Sequence, residues 1–271
     1  VLDKVEAQVY YNYADHVMDN YSLRTPSGTG MMAGPMASNV DRRTLGARIK
    51  ATWRWADLQL IGGLDAQTNE HRNRASSGVD TYKELPRTKD ADFHNYGAFG
   101  ELTWYAAERD RMITGARLDR ASAKDYRQSI GSGMMTRSNP TAGDTRADTL
   151  PSGFVRYEHD LADSPTTLYV GLGHTQRFPD YWELFSPKMG PAGSVNAFDS
   201  IKPEKTTQLD FGLQYQGEDL EAWASGYIGQ VRDYILFDYN SKMMGMSTSR
   251  AENIDAPVSY THLTLPTNRE V

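Results

Sequence analysis

The sequence predicts an all-β fold, an antiparallel up-and-down transmembrane β-barrel of which this chain supplies part. Three observations predict it: repeated apolar and polar alternation, runs longer than ordinary strands, and connections that are short at one end and long at the other. Residues 47 to 55, "ARIKATWRW", place Ala47, Ile49, Ala51, Trp53 and Trp55 on one face and Arg48, Lys50, Thr52 and Arg54 on the other. Leu58, Leu60, Gly62, Leu64 and Ala66 repeat the pattern against Gln59, Asp65 and Gln67, as do Leu209, Phe211, Leu213 and Tyr215 against Gln208, Asp210, Gln214 and Gln216. Noisier runs near residues 4 to 15, 94 to 107, 111 to 126, 149 to 161, 166 to 178 and 219 to 239 bring the expected number of strands to nine.

Many of these runs exceed the roughly 5 to 6 residues usual in globular sheets and reach the roughly 9 to 11 that cross a bilayer at a tilt. Tight turns are expected at residues 56 and 57, 107 to 110, 162 to 165 and 217 to 219. Long polar loops are expected near 19 to 41, 72 to 93, 127 to 148, 179 to 204 and 240 to 253. Short and long ends alternate without exception, as periplasmic turns and extracellular loops do in outer-membrane barrels.

Energetics orient the faces. Each of Arg48, Lys50 and Arg54 turned toward lipid near the midplane would cost roughly 2 to 4 kcal/mol, so they face the lumen. The mean hydropathy of −0.63 agrees with such a barrel, which needs apolar residues on its outer face alone. Trp53, Trp55, Trp104 and Tyr105 at strand ends suit an interfacial girdle.

Composition excludes other classes. The 271 residues carry a net charge of −6 with 24% charged residues, and no basic run points to nucleic acid as a partner. The chain has no cysteine, which excludes disulfides and thiolate ligands of its own. No apolar run reaches the roughly 18 residues of a membrane helix. The first residues, "VLDKVEAQVY", contain neither an initiator methionine nor a signal core, so the chain is expected to start within a longer protein. No G-x-S-x-G elbow, H-E-x-x-H or P-loop is present. The acidic stretches "DADF" (90 to 93) and "YEHD" (157 to 160) fall at strand ends, and no enzymatic role is expected.

The text "TLYVGLGHTQRFPDYWELF" (167 to 185), "IKPEKTTQLDFGLQYQ" (201 to 216), "VRDYILF" (231 to 237) and "AENIDA" (251 to 256) resembles, in order and spacing, the barrel of TonB-dependent outer-membrane receptors. The resemblance implies a barrel of about 22 strands closed by a plug, located in the outer membrane of a Gram-negative bacterium. Lipid would contact its outer face, and the TonB complex would act through a plug region missing here. Nine strands would be less than half of that barrel, with two edges that lipid cannot satisfy. Residues 1 to 256 read as this partial barrel. Residues 257 to 271, "PVSYTHLTLPTNREV", resemble translated sequencing-adapter DNA and read as a non-native tail.

Side chains must indicate the cargo. Met112 lies in a strand and Met18 at a strand end, while Met31, Met32, Met36, Met134, Met135, Met189, Met243, Met244 and Met246 fall in the expected extracellular loops. Thioethers select soft Cu(I), so these clusters read either as a weak relay that collects copper or as flexible packing under loops. In the first strand Glu6, Gln8, Tyr10, Asn12 and Ala14 share a face, and the pleat brings His16 and Met18 onto it at the extracellular end of the lumen. The pair reads either as a hydrogen-bonded lumen histidine beside a packing methionine or as ligands. The resemblance favours the second. His-x-Met at this location resembles the barrel half of the site in TonB-dependent copper receptors, where the plug supplies a Cys and a Met. It implies copper as the transported ligand and no organic cofactor. Receptors for siderophores or other metal chelates and a passive porin are the alternatives. Among other histidines, His71 has lumen parity without neighbours of its kind, His94 and His174 have lipid parity, His159 lies by a periplasmic turn and His262 lies in the tail.

Overall fold

The computed structural model describes residues 1–26, 28, 34–130, 136–185, 196–243 and 246–264, with the side chains of 238–250 and 262–264 outside that description. Ten long strands form one sheet in sequence order: β1 (Leu2–Asp19), β2 (Met36–Arg54), β3 (Leu58–Ser77), β4 (Thr88–Ala107), β5 (Asp110–Asp125), β8 (Thr145–Asp160), β9 (Thr166–Arg177), β10 (Glu204–Gln216), β11 (Glu221–Met243) and β12 (Met246–Thr264). A small ribbon of β6 (Ser129–Ile130) and β7 (Arg137–Ser138) sits between β5 and β8. Every neighbouring pair in the sheet is antiparallel, which is the expected up-and-down meander.

Two expectations need correction. The sheet has ten strands where nine were expected, because the polar text from 240 onward is a hairpin with Met243 opposite Met246. The strands also run well into the expected loops. The β1–β2 ladder continues to Asp19 and Ala37, and the β2–β3 ladder to Met36 and Ser77. Beyond the bilayer both faces are wet, so apolar alternation stops while backbone pairing continues.

The expected break at residue 256 is absent from the backbone pairing, since Pro257 pairs with Gln230 and the ladder runs on to Thr264 opposite Trp223. Val258 and Tyr260 lie opposite Gly229 and Tyr227, while Ser259 lies opposite Ile228. Ile228 is opposite the outward Leu209, so a serine takes a lipid-side position while valine and tyrosine turn inward.

Register assigns the faces, because directly opposed residues project to the same side. One row runs Gln8, Arg48, Asp65, Gly97, Asp119 and Leu150, and the adjacent row runs Ala7, Ile49, Leu64, Ala98, Leu118 and Pro151. The first row is the lumen wall: Arg48 lies 3.9 Å from Asp65, and on the same face Lys50 lies 3.0 Å from Glu6. The second row is apolar yet exposed at Ile49, Leu64 and Leu118, and Val170, Leu172 and Phe211 on the same face are likewise open at their outer surface. Trp53 and Trp104 stand at the short-turn end of this outer belt.

Glycine shapes the wall at one decisive place. Arg117 on β5 reaches over Gly97 of β4 to grip Asp65 of β3 through two hydrogen bonds of 2.7 and 2.8 Å, and also bonds Asp119 at 2.6 Å. A Cβ at Gly97 would lie 2.2 Å from that guanidinium. Gly97→Val is therefore expected to expel Arg117 and to lower barrel stability by about 1–3 kcal/mol, a half-exposed ion pair being worth less than a buried one. The unfolding midpoint of the full-length barrel, read from heat-modified electrophoretic mobility, checks this. A midpoint equal to that of the parent would show that the grip is dispensable.

Candidate metal site at the lumen mouth

The extracellular end of β1 is pinned by its own hairpin. The Asp19 carboxylate accepts the backbone N–H groups of Tyr21 and Ser22 at 2.9 and 2.7 Å, which turns the chain. The Asn20 side chain accepts the Met36 N–H at 2.8 Å and donates to the Gly34 carbonyl at 3.1 Å, locking β1 to β2. Asn39 donates to the His16 carbonyl at 3.2 Å and to the Asp15 carboxylate at 2.5 Å. These bonds fix the backbone without engaging the imidazole or the thioether.

His16 lies opposite Val40 and Met18 opposite Ser38. Both are exposed and share the face of Ala14 and Arg42, which is the lumen face established above. Their Cα atoms are about 6.7 Å apart along the strand, close enough for both side chains to converge on one ion. Met36 has the same parity on β2, one pleat beyond Ser38, so a second thioether stands diagonally across from Met18. Of the other loop methionines, Met31, Met32, Met134, Met135, Met189 and Met244 lie outside the described residues, and Met243 and Met246 are described in backbone alone.

Directly below the pair, a segment of the β9–β10 connection crosses the lumen face. It contains the short helix α1 (Tyr181–Phe185). Tyr181, Leu184, Phe185, Phe198 and Ile201 are buried against Ala91 and Ala123 of β4 and β5 and against Ile235 and Ala251 of β11 and β12. Asp180 is bound by Arg42 at 2.7 Å, and Arg42 is opposite Ala14, one pleat below His16. Burial is the largest influence on the Asp180 carboxyl and acts to raise it, but the Arg42 hydrogen bond, the Tyr181 N–H and the charges of Arg42 and Arg177 together leave the group below the usual carboxylate range. Burial, reinforced by Asp90, pushes the Tyr181 hydroxyl well above its ordinary value.

His71 belongs to this segment's anchor. Its Nδ1 lies 2.5 Å from Asp90, its ring stacks on Tyr181 at 3.7 Å, and the Tyr181 hydroxyl donates to Asp90 at 2.6 Å. The lumen parity expected of His71 holds, but it is a buried partner of an aromatic ring, not an open donor. His94 is opposite Thr68 on the outer face, as expected, and His174 bonds Thr207 at 2.8 Å on that same face. His159 pairs with Asp110 at 2.7 Å near a short turn. Sequence patterning did not reveal the lumen segment, because its contacts join residues up to 138 positions apart. The one available signal was the aromatic run "FPDYWELF" in an otherwise polar connection.

Among the described residues no three His, Cys, Asp or Glu side chains form a metal cluster. Any ion held at the mouth would therefore rest on the mixed imidazole and thioether set of His16, Met18 and Met36, completed by donors from elsewhere. Such soft and borderline donors suit copper and not Ca²⁺ or Mg²⁺. Below the segment, a concavity of about 680 Å³ is lined by Arg42, Asn69, Asn95, Arg117 and Arg177. Phe93, Leu150 and Phe178 also line it, and the lining contains no methionine.

The family described as TonB dependent receptor-like, beta-barrel matches residues 3–260. Among solved structures, one called copper transporter OprC is 68% identical over 97% of this chain and 42% of its own, with a TM-score of 0.89. The ferric-catecholate import receptor Fiu from Escherichia coli K12 is 13% identical, covering 98% of this chain and 42% of its own with a TM-score of 0.60. The siderophore receptor PirA from Acinetobacter baumannii is 13% identical over 96% and 39%, with a TM-score of 0.57. These last two share the fold alone. The chain thus spans less than half the length of the structures it matches. None of the curated proteins matches it.

Proposed function

This chain belongs to the family of TonB-dependent receptor-like β-barrels, and on that premise we propose that it is the barrel part of an outer-membrane receptor that takes up copper. The observation that carries the reading is the projection of His16 and Met18 from one lumen face at the extracellular mouth, in a chain 68% identical to a structure named as a copper transporter. Copper is the cargo, held by His16 and Met18 with Met36 beside them. Met31, Met32, Met134, Met135, Met189, Met243, Met244 and Met246 act earlier, as a redundant thioether relay from the loops. The chain has no cysteine, so a thiolate in the complete site comes from another segment. The sequence resemblance implies that this segment is a plug, and energised release implies contact of that plug with the TonB complex. In the same reading residues 257–271 are foreign to the native strand, and resequencing of the locus returns text that places apolar residues opposite Ile228 and Gly226.

Uptake by cells carrying the full-length receptor tests the proposal. Copper accumulation that needs both the receptor and TonB is the expected result. Zinc in tenfold excess, about 1.4 kcal/mol of mass action, is expected to leave it nearly unchanged. Uptake that persists without TonB would make the protein a porin. Accumulation of a ferric chelate in place of copper would make it a siderophore receptor.

A further inference from the structure

The outer face changes character at one level. On β2 the outward column runs Trp53, Ala51, Ile49, Ala47 and Leu45, then Arg43; on β4 it runs Trp104, Leu102, Gly100, Ala98 and Tyr96, then His94; on β5 it runs Met112, Thr114, Ala116 and Leu118, then Arg120, Ser122 and Lys124. From Trp53 to Leu45 is about 27 Å along the strand, which at a tilt of about 40° covers about 21 Å of the roughly 25 Å apolar band of a membrane barrel. The residues just beyond it stand in the headgroup layer on the extracellular side.

Most charges in that layer are already neutralised. Asp41 is gripped by Arg72 and, at 2.5 Å, by Arg87, and Arg87 also holds Asp15 at 2.7 Å. Lys89 lies 2.7 Å from Asp92 and 3.6 Å from Glu70, and Asp92 also accepts the Tyr126 hydroxyl at 2.9 Å. On the outward columns of β2 and β5 three cations remain. Among the described residues, Arg43, Arg120 and Lys124 have no carboxylate within ion-pair distance; Arg120 bonds the Thr149 hydroxyl at 2.9 Å, and Lys124 lies 5.0 Å from the Tyr126 ring centre. Arg43 and Lys124 are opposite Glu70 and Asp92 in one register row, three strands apart, and Arg120 is one row below His94. The triangle measures about 14 Å across strands and about 13 Å along them. Its upper edge passes over Glu70 and Asp92, both held by Lys89, and it surrounds a polar floor of Thr68, His94 and Ser122.

We propose that Arg43, Arg120 and Lys124 form a docking surface for a phosphorylated glycolipid headgroup of the outer leaflet, with its acyl chains lying along the apolar columns below. The inference rests on the outer-membrane reading of the barrel. The separation of the cations suits two phosphates on one disaccharide-sized headgroup better than a single phosphate, and arginine and lysine at the boundary keep their stems on the apolar belt while their charges reach outward. The anion supplies the counter-charge that no side chain provides.

Native mass spectrometry of the full-length receptor in detergent tests this, with bisphosphorylated lipid A and its dephosphorylated form as probes. The expected result is preferential retention of the phosphorylated lipid. Each of Arg43→Gln, Arg120→Gln and Lys124→Gln is expected to reduce it about fivefold, and the triple variant is expected to abolish the preference while copper loading stays unchanged. If the triple variant fails to assemble, the single Arg43→Gln and Lys124→Gln variants decide. Equal retention of both lipids by the parent, an undiminished preference in the variants, or inorganic phosphate binding as tightly as the lipid would each overturn the proposal. Retention of the dephosphorylated lipid reports the apolar belt by itself, so loss of the phosphate preference stays distinct from failure of the membrane reading.

Discussion

In the full-length receptor, His16→Ala and Met18→Ala are each expected to weaken copper binding by about two orders of magnitude, at least the loss seen when groups merely supporting a metal ligand are removed. The two side chains project from the same strand face, so neither supplies the other's bond to the ion and both losses are felt. The backbone beneath them is held by Asn39 and Asn20, which neither change touches, so assembly should be unaffected. Met36→Ala should cost about tenfold or less, since it stands diagonally across the hairpin from Met18. Metal analysis of purified receptor, loaded with copper in competition with zinc, reads all three. Equal copper content in the parent and the His16→Ala, Met18→Ala double variant would remove these residues from the site and leave a receptor whose cargo is unknown.

The shared face of His16 and Met18 was legible in sequence because it depends on one local rule. Parity along β1 carries from Glu6 to Met18 without a bulge beyond Lys4, so a period of two was enough to place both side chains in the lumen. The barrel portion of each strand was legible for the same reason, since lipid on one side and water on the other enforce alternation. Strand ends were not. From Thr68 to Ser77 on β3 the sequence reads as polar text, yet it pairs residue by residue with β2, and nothing in a doubly wetted ladder repeats with period two. The hairpin of β11 and β12 was missed on the same grounds. The lumen segment escaped for a different reason. Asp180 meets Arg42, Tyr181 meets His71 and Asp90, and Arg146 bonds the Phe198 carbonyl. Each contact joins separate hairpins, so pairing within any one of them carries no sign of it. His71 illustrates the cost: with parity alone it is a lone imidazole in a lumen, and only the fold shows the tyrosine lying across it.

Asp90→Ala is expected to release this lumen segment. Asp90 is almost fully buried, at 2% exposure, and its carboxylate is shared by three groups: His71 at 2.5 Å, the Tyr181 hydroxyl at 2.6 Å and the Asn73 amide at 2.7 Å. Truncation leaves all three facing one another without an acceptor, and breaking a buried charged network of this kind costs about 3–5 kcal/mol. The ten-stranded ladder does not depend on that carboxylate, because the Asp90 carbonyl still accepts the Tyr126 N–H at 2.9 Å. The loss should therefore fall on the β9–β10 connection, whose apolar anchors Leu184, Phe185 and Phe198 do not reach the β3 side of the lumen, where Tyr181 and Asp180 make the attachment. Limited proteolysis of the folded full-length receptor should show new cleavage within residues 178–185 or 196–203 while the barrel keeps its heat-modified mobility. Tyr181→Phe, which retains the stack on His71 and removes one hydrogen bond, should cost about 1 kcal/mol and leave the connection protected. A parental digestion pattern in Asp90→Ala would mean that the apolar anchors suffice. The wall beneath His16 would then owe its position to hydrophobic burial, with the His71, Asp90 and Tyr181 network contributing nothing measurable.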